Sequence, residues 1–271
     1  MSNREAVGLA LGVALLLAIV ASVLPPRDFP TGLPVRITQG SALREIGRQL
    51  QDQHVINSDI KTFLSYAFFL RVDSKLKAGT YVFEKPLFLW QVIGRVSRGE
   101  YGTKTRKITI PEGFTNKQIS KLVGVELGEK DQGYLFPDTY FFDQFSTAEE
   151  VRARMKDNFN ARVGTTTKDT VTLASIIEAE AATTSDRRMV AGVLLKRLKI
   201  GMPLQVDVAT STYEHTGLPS APINNPGLDA IEAVEHPTDS PYWYYLSDKS
   251  GTMHYTRTFA EHKANRERYG I

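Results

Sequence analysis

The most informative stretch of the chain is Val171-Thr-Leu-Ala-Ser-Ile-Ile-Glu-Ala-Glu-Ala181. Wound as a helix at about 100° per residue, it places Glu180 about 20° from Leu173 and about 40° from Ile176, on the apolar face. Glu178 falls about 200° away, so the two carboxylates cannot enter one site from the same face. A carboxyl group carried into apolar surroundings resists ionisation. Its pKa rises, and it can donate a proton near neutral pH. Acids that cleave glycosidic bonds are prepared in this way. A structural use of Glu180 stays open at this point, either paired with Arg187, Arg188 or Arg197 or reaching solvent at the helix end.

A second polar group lies in Gly201-Met-Pro-Leu-Gln-Val-Asp207, where Gln205 and Asp207 alternate with Leu204 and Val206. Such side chains suit sugar hydroxyls and acetamides, and equally suit a plain surface loop. Asn224-Asn-Pro-Gly227 reads as a turn before a helix, and His254 and His262 complete the candidates. No His-x-x-His, His-Glu-x-x-His or carboxylate-rich loop occurs, so neither a metal nor another cofactor is expected. There is no Gly-x-Ser-x-Gly elbow and no phosphate loop.

The elements that must position these residues follow from periodicity. Val35 and Ile37 alternate as a strand, Gly40 and Ser41 turn, and Leu43, Ile46 and Leu50 keep helical spacing. Ile110, Gly113 and Ile119 repeat Ile37, Gly40 and Ile46, an internal echo of the same strand–turn–helix unit. Further helices are expected over 58–71, 87–97, 147–162, 170–183, 186–199 (with Ser185 as N-cap), 229–234 and 258–269. Residues 242–246 read as a buried strand.

Composition sets the class. The chain has 271 residues, 42% hydrophobic and 23% charged, with no cysteine. Those values exclude a disordered or collagen-like chain and a polytopic membrane protein. A disulfide scaffold and a cysteine nucleophile are excluded too. A net charge of +3 is too weak for a nucleic-acid partner. One segment stands apart: Ala6 to Leu24 carries no charge and, at about 1.5 Å per residue, spans roughly 28 Å. It exceeds the apolar core of a cleavable signal peptide, despite the small residues Ala18 and Ala21, and is read as a retained anchor. The positive-inside rule places residues 1–5 in the cytoplasm and the remainder outside the inner membrane.

Taken together, these residues resemble a known family. Ala174-Ser-Ile-Ile-Glu-Ala-Glu180 with Asp186-Arg187, Val193 to Leu198 and Gly201 to Asp207 resembles the YceG-like (MltG) endolytic murein transglycosylases. Gly217-Leu-Pro, Pro222 to Gly227, Pro241-Tyr-Trp-Tyr-Tyr-Leu246, His254 and Glu261-His262 continue the pattern in order. Lys77-Ala-Gly-Thr-Tyr81, Ile110-Pro-Glu-Gly113 and Gly133-Tyr-Leu-Phe-Pro-Asp-Thr-Tyr140 match upstream. The sequence departs from the pattern at Gln132, often glutamate in the family, and at Asp207-Val-Ala-Thr, where the family has Asp-Pro-Thr.

The resemblance implies an α+β protein: a transmembrane anchor at 6–24, a linker at 25–34, a LysM-like α/β module at 35–102 and a larger α+β catalytic domain at 106–271. It implies a single-pass inner-membrane enzyme that cuts the β-1,4 bond between N-acetylmuramic acid and N-acetylglucosamine inside peptidoglycan strands, leaving 1,6-anhydro ends. Glu180 takes the place of the essential acid. Gln205, Asp207 and Asn225 are expected to orient the sugar, with Glu178 and His254 as further substrate-side candidates. Polymerising synthases are the expected partners beside the glycan strand. Two alternatives are a membrane-tethered peptidoglycan-binding scaffold without catalysis, and a hydrolytic muramidase using water.

Overall fold

Val35 and Ile37 point inward while Pro34 and Arg36 point outward, and this alternation builds strand β1 (Pro34–Ile37). The computed structural model describes Val20, residues 23–72 and residues 75–270. Residues 1–5 and most of the apolar run at 6–24 lie outside the described residues. Among the described residues no helix is long and apolar enough to cross a membrane. The chain divides into two compact units. One runs to Thr105 with Asp143–Phe145, and the other comprises Arg106–Phe142 and the chain from Ser146 onward.

In the first unit, β1 pairs antiparallel with β2 (Gly79–Val82), Val35 opposite Tyr81. Helix α1 (Leu43–Asp52) buries Ile46 and Leu50. Helix α2 (Ile60–Phe69) starts at Asp59, whose carboxylate accepts from the amides of Lys61 and Thr62. Helix α3 (Leu89–Arg98) buries Val92, Ile93 and Val96 and ends at Gly99 in the left-handed region. Part of the stretch read as a linker, 25–34, touches the unit. Phe29 is buried with its ring edge-on to Phe83 at 5.6 Å, and Thr31 bridges to Phe83. Val23 joins the same core.

In the second unit, β3 (Thr105–Thr109) pairs with β4 (Thr139–Asp143), and Thr115 with Gln118 forms a capping box for helix α4 (Asn116–Val123). The internal echo has a structural counterpart. Gly40 and Gly113 are left-handed at φ +79° and +74°, and Ile37, Ile46, Ile110 and Ile119 are all buried. Helix α5 (Ala148–Val163) buries Val151, Met155 and Phe159.

Helix α6 (Lys168–Glu180) has every side chain from Val171 to Ile177 buried, so it has no solvent face along that length. Helices α7 (Thr184–Lys199) and α9 (Leu228–Glu235) pack against it. Ala181 is extended, so α7 begins earlier than its sequence suggests. Its cap is Thr183, which accepts from the Asp186 amide, rather than Ser185. After α8 (Ser211–Glu214) and α9, an antiparallel hairpin forms from β5 (Tyr244–Ser247) and β6 (Met253–Thr256). The expected strand at 242–246 starts two residues late, and only its Leu246 is buried. Helix α10 (Phe259–Tyr269) closes the unit behind a Thr258/Glu261 capping box.

Candidate active site

Glu180 is the last residue of α6, where the buried helix reaches a cleft of about 420 Å³. Leu204 and Val206 are buried in the core, and their alternation turns Gln205 and Asp207 into the same cleft. Thr212 ties this loop to itself: its carbonyl accepts from the Gln205 amide and its hydroxyl from the Val206 amide. The tie holds Gln205 at φ +52°, strained for a residue with a Cβ and typical of functional positions. Tyr244, Tyr245, His262 and Arg266 face the cleft from the hairpin and α10. Exposed Tyr213 and Phe259 edge it.

Burial raises the Glu180 pKa above the ordinary carboxylate value, and the charge of Asp207 raises it further. The Val208 amide and the Tyr245 hydroxyl, both turned toward the carboxyl, oppose the shift. Glu180 has no cationic partner within salt-bridge distance among the described residues. Arg187 pairs with Glu178 instead. Arg197 is buried and donates to two carbonyls, Leu204 O at 2.6 Å and Trp243 O at 2.8 Å, joining the two cleft walls. The Tyr245 hydroxyl is closed off from solvent and completes no hydrogen bond among the described residues. Burial, then the Glu180 charge, keeps its pKa well above that of a free phenol, so it remains a neutral donor. Tyr213 donates to Asp207, which raises the Tyr213 pKa. Burial and two nearby arginines lower the His262 pKa, leaving a neutral imidazole.

The cleft therefore gathers Glu180, Gln205 and Asp207, and leaves out Glu178, Asn225 and His254. Glu178, its side chain 5% exposed, accepts from Arg187 at 2.6 Å and from the Gly227 amide at 2.9 Å. Burial raises its pKa too. It clamps the turn behind Glu180 rather than facing a ligand. A Cβ at Gly227 would meet the half-exposed Glu112 carboxylate, which would have to turn aside. His254 pairs with Asp248 at 2.8 Å and stacks on Tyr269 at 4.0 Å. Its neighbour Met253 takes the cleft side of β6.

Asn225 is fully buried. Its Oδ1 accepts from the amides of Gly133 and Leu135, and its Nδ2 donates to Phe114 O and Asn116 Oδ1. It fastens three loops and has no group left for a sugar. Asn225→Ala is expected to destabilise the protein by about 3–5 kcal/mol, because several buried partners lose their bonds together. A denaturant midpoint shift measures this, and a loss under about 1 kcal/mol would contradict the role.

Tyr213, Tyr244, Tyr245, Phe259 and Arg266 face or edge the cleft and are not among the candidates that the sequence put forward. For Tyr245 a signal existed: a tyrosine in a strand expected to be buried needs a partner for its hydroxyl. Among the described residues, no cluster of three or more His, Asp or Glu side chains could hold a metal ion.

The YceG-like family model matches residues 35–211 and 210–268. The chain belongs to the YceG-like family. This YceG-like chain is 28% identical over 320 aligned positions to a Bacillus subtilis protein named endolytic murein transglycosylase, covering 92% of this chain and 88% of that one. It is 27% identical to a Streptococcus pneumoniae protein of the same name, covering 85% of this chain but only 57% of the longer relative. Among solved structures, a YceG-like protein of Listeria monocytogenes shares 26% identity and a TM-score of 0.53, covering 86% of this chain and 98% of that one. That likeness agrees with a mixed α+β fold.

Proposed function

We propose that this chain is an endolytic murein transglycosylase, a lyase that cuts the β-1,4 bond between N-acetylmuramic acid and N-acetylglucosamine within glycan strands. The observation that carries this reading is the Glu180 carboxyl, half-buried at an open cleft with no ionic partner among the described residues, and raised in pKa by that burial. The names of its curated relatives support the same activity.

The chemistry follows from the side chains. Burial favours the protonated form of Glu180, which gives its proton to the glycosidic oxygen as the bond to muramic acid C1 breaks. The C1 centre becomes oxocarbenium-like, and the Asp207 charge, close enough to act on Glu180, favours that cation. The sugar's own C6 hydroxyl attacks C1 and returns its proton to the Glu180 carboxylate. No water is consumed, a 1,6-anhydro end remains, and Glu180 is ready again. Tyr245, a buried donor turned toward the carboxyl, stabilises Glu180 while it is ionised. Gln205 offers an amide to the sugar's polar groups, and Tyr213 and Phe259 offer aromatic surface.

Tyr245→Phe is expected to slow cleavage about tenfold or more with strand binding unchanged. Single-turnover rates set against binding separate the two effects. Weakened binding at an unchanged rate would contradict the assignment.

A hydrolytic muramidase is a second reading with an observation behind it. Asp207, a second carboxylate, shares the cleft with Glu180 and could activate water. Digestion of purified sacculi by the full chain tests both. Released muropeptides lighter by one water than reducing ends support the transglycosylase, and reducing ends support the muramidase. Binding without release supports the non-catalytic scaffold.

The proposal extends to location. The apolar run at 6–24 tethers the chain once through the inner membrane, with residues 35–102 as a LysM-like module and residues 106–271 as the catalytic domain on the outer side. An enzyme so placed meets strands as synthases release them and can end their growth. Failure to crosslink to any synthase in cells would count against that partnership.

A further inference from the structure

Phe68 and Phe69 are the two most exposed large apolar side chains among the described residues, at 76% and 81%. Leu70 follows, also exposed. The helix that carries them, α2, buries Phe63 and Ala67, so its core-facing side is already served. The tip is a fixed structure. Leu70 donates its amide to Tyr66 O, Arg71 to Phe68 O and Val72 to Ala67 O, with Arg71 turned into the left-handed region at φ +55°. Three consecutive apolar residues are thereby held out on one ordered turn.

Two observations indicate what covers them. Val23, near the end of the apolar run at 6–24, is buried in the core of this same unit. The unit therefore sits where that run ends, with no free linker between them. Close to the tip the sequence is positive: from Phe68 to Ala78 it carries Arg71, Lys75 and Lys77 against Asp73 alone. Exposed aromatics flanked by basic residues are the chemistry of a bilayer interface with anionic headgroups.

We infer that the Phe68-Phe69-Leu70 turn inserts shallowly into the membrane surface, with the neighbouring basic residues on anionic headgroups, as a second point of attachment for the first unit. The inference rests on the proposed tether at 6–24. A few side chains bind a bilayer weakly alone, and gain their effect when a first anchor already holds them at the surface.

The cysteine-free chain makes the test direct. Full-length Phe69→Cys and Lys61→Cys proteins, each labelled with an environment-sensitive fluorophore, are reconstituted into vesicles of phosphatidylethanolamine and phosphatidylglycerol. A nitroxide carried on the lipid chains is expected to quench the Phe69 label several-fold more than the Lys61 label, with aqueous iodide showing the reverse order. Equal iodide quenching of both labels without nitroxide quenching overturns the inference. A Phe69 label shielded from both quenchers also overturns it, pointing to a protein on the patch. Alkaline carbonate separates the two readings. Protein that resists extraction but keeps an iodide-accessible Phe69 label overturns the patch alone, and protein that is stripped away overturns the tether and the inference with it.

Discussion

Glu180→Gln is expected to lower strand cleavage about a thousandfold, the order of rate that a positioned general acid supplies. The amide keeps the shape of the side chain, so the fold survives. The same substitution is expected to raise stability at neutral pH. Burial holds the Glu180 pKa above its unfolded value, with Asp207 adding to the shift. A carboxyl of that kind binds its proton more tightly in the folded chain. Its favourable contribution is complete below the unfolded pKa and is lost as pH rises through the folded one. Glutamine does not titrate, so the variant gains on the wild type as pH rises. Denaturant melts of both proteins across pH 4–8, taken as about the range where buried carboxyls titrate, give the comparison. A stability gap that does not change with pH would contradict the placement of this carboxyl. Cleavage by the wild type is expected to fall as pH rises through the same raised value.

Arg187→Ala is expected to cost about 3–5 kcal/mol of stability, because it strands a buried charge. Arg187 lies 2.6 Å from Glu178 and 2.7 Å from Asp229, and donates to the Ala181 carbonyl. It joins the end of α6, the start of α7 and the start of α9. Without it, Glu178 is left with the Gly227 amide as its hydrogen-bond donor. Adding Glu178→Gln to Arg187→Ala is expected to recover part of the loss, since the stranded charge is then gone. A single-variant loss under about 1 kcal/mol, or no recovery in the double variant, would show that the clamp does not hold this turn. Cleavage by the folded fraction is expected to fall too, because Glu180 lies two residues from Glu178 on the same helix end.

Local periodicity made much of this architecture legible. Helical spacing found α1, α5 and α10, and the Ile37/Ile110 echo located two strand–turn–helix units that share left-handed glycines. The alternation of Leu204 and Val206 with Gln205 and Asp207 indicated which side chains leave the core. What was not legible depended on contacts distant in sequence. Helical spacing gave α6 one apolar face, whereas packing by α7 and α9 buries it all round. The Glu178 side chain is therefore largely buried as well, and is tolerated through Arg187, nine residues away. Asn225 carries polar groups in a turn, as a sugar ligand would, yet the loops from Phe114 to Leu135 use all of them. Tyr245 reaches Glu180 only once the β5–β6 hairpin folds over the end of α6, and no local pattern encodes that approach.

The central claim is that Glu180 drives cleavage without water. Digestion of sacculi in ¹⁸O-labelled water tests it most directly, with wild type beside Glu180→Gln and the released ends read by mass spectrometry. The expected result is wild-type products ending in 1,6-anhydro-muramic acid with no ¹⁸O at the cut, and no products from the variant. Reducing ends that carry ¹⁸O, or equal cleavage by Glu180→Gln, would contradict it.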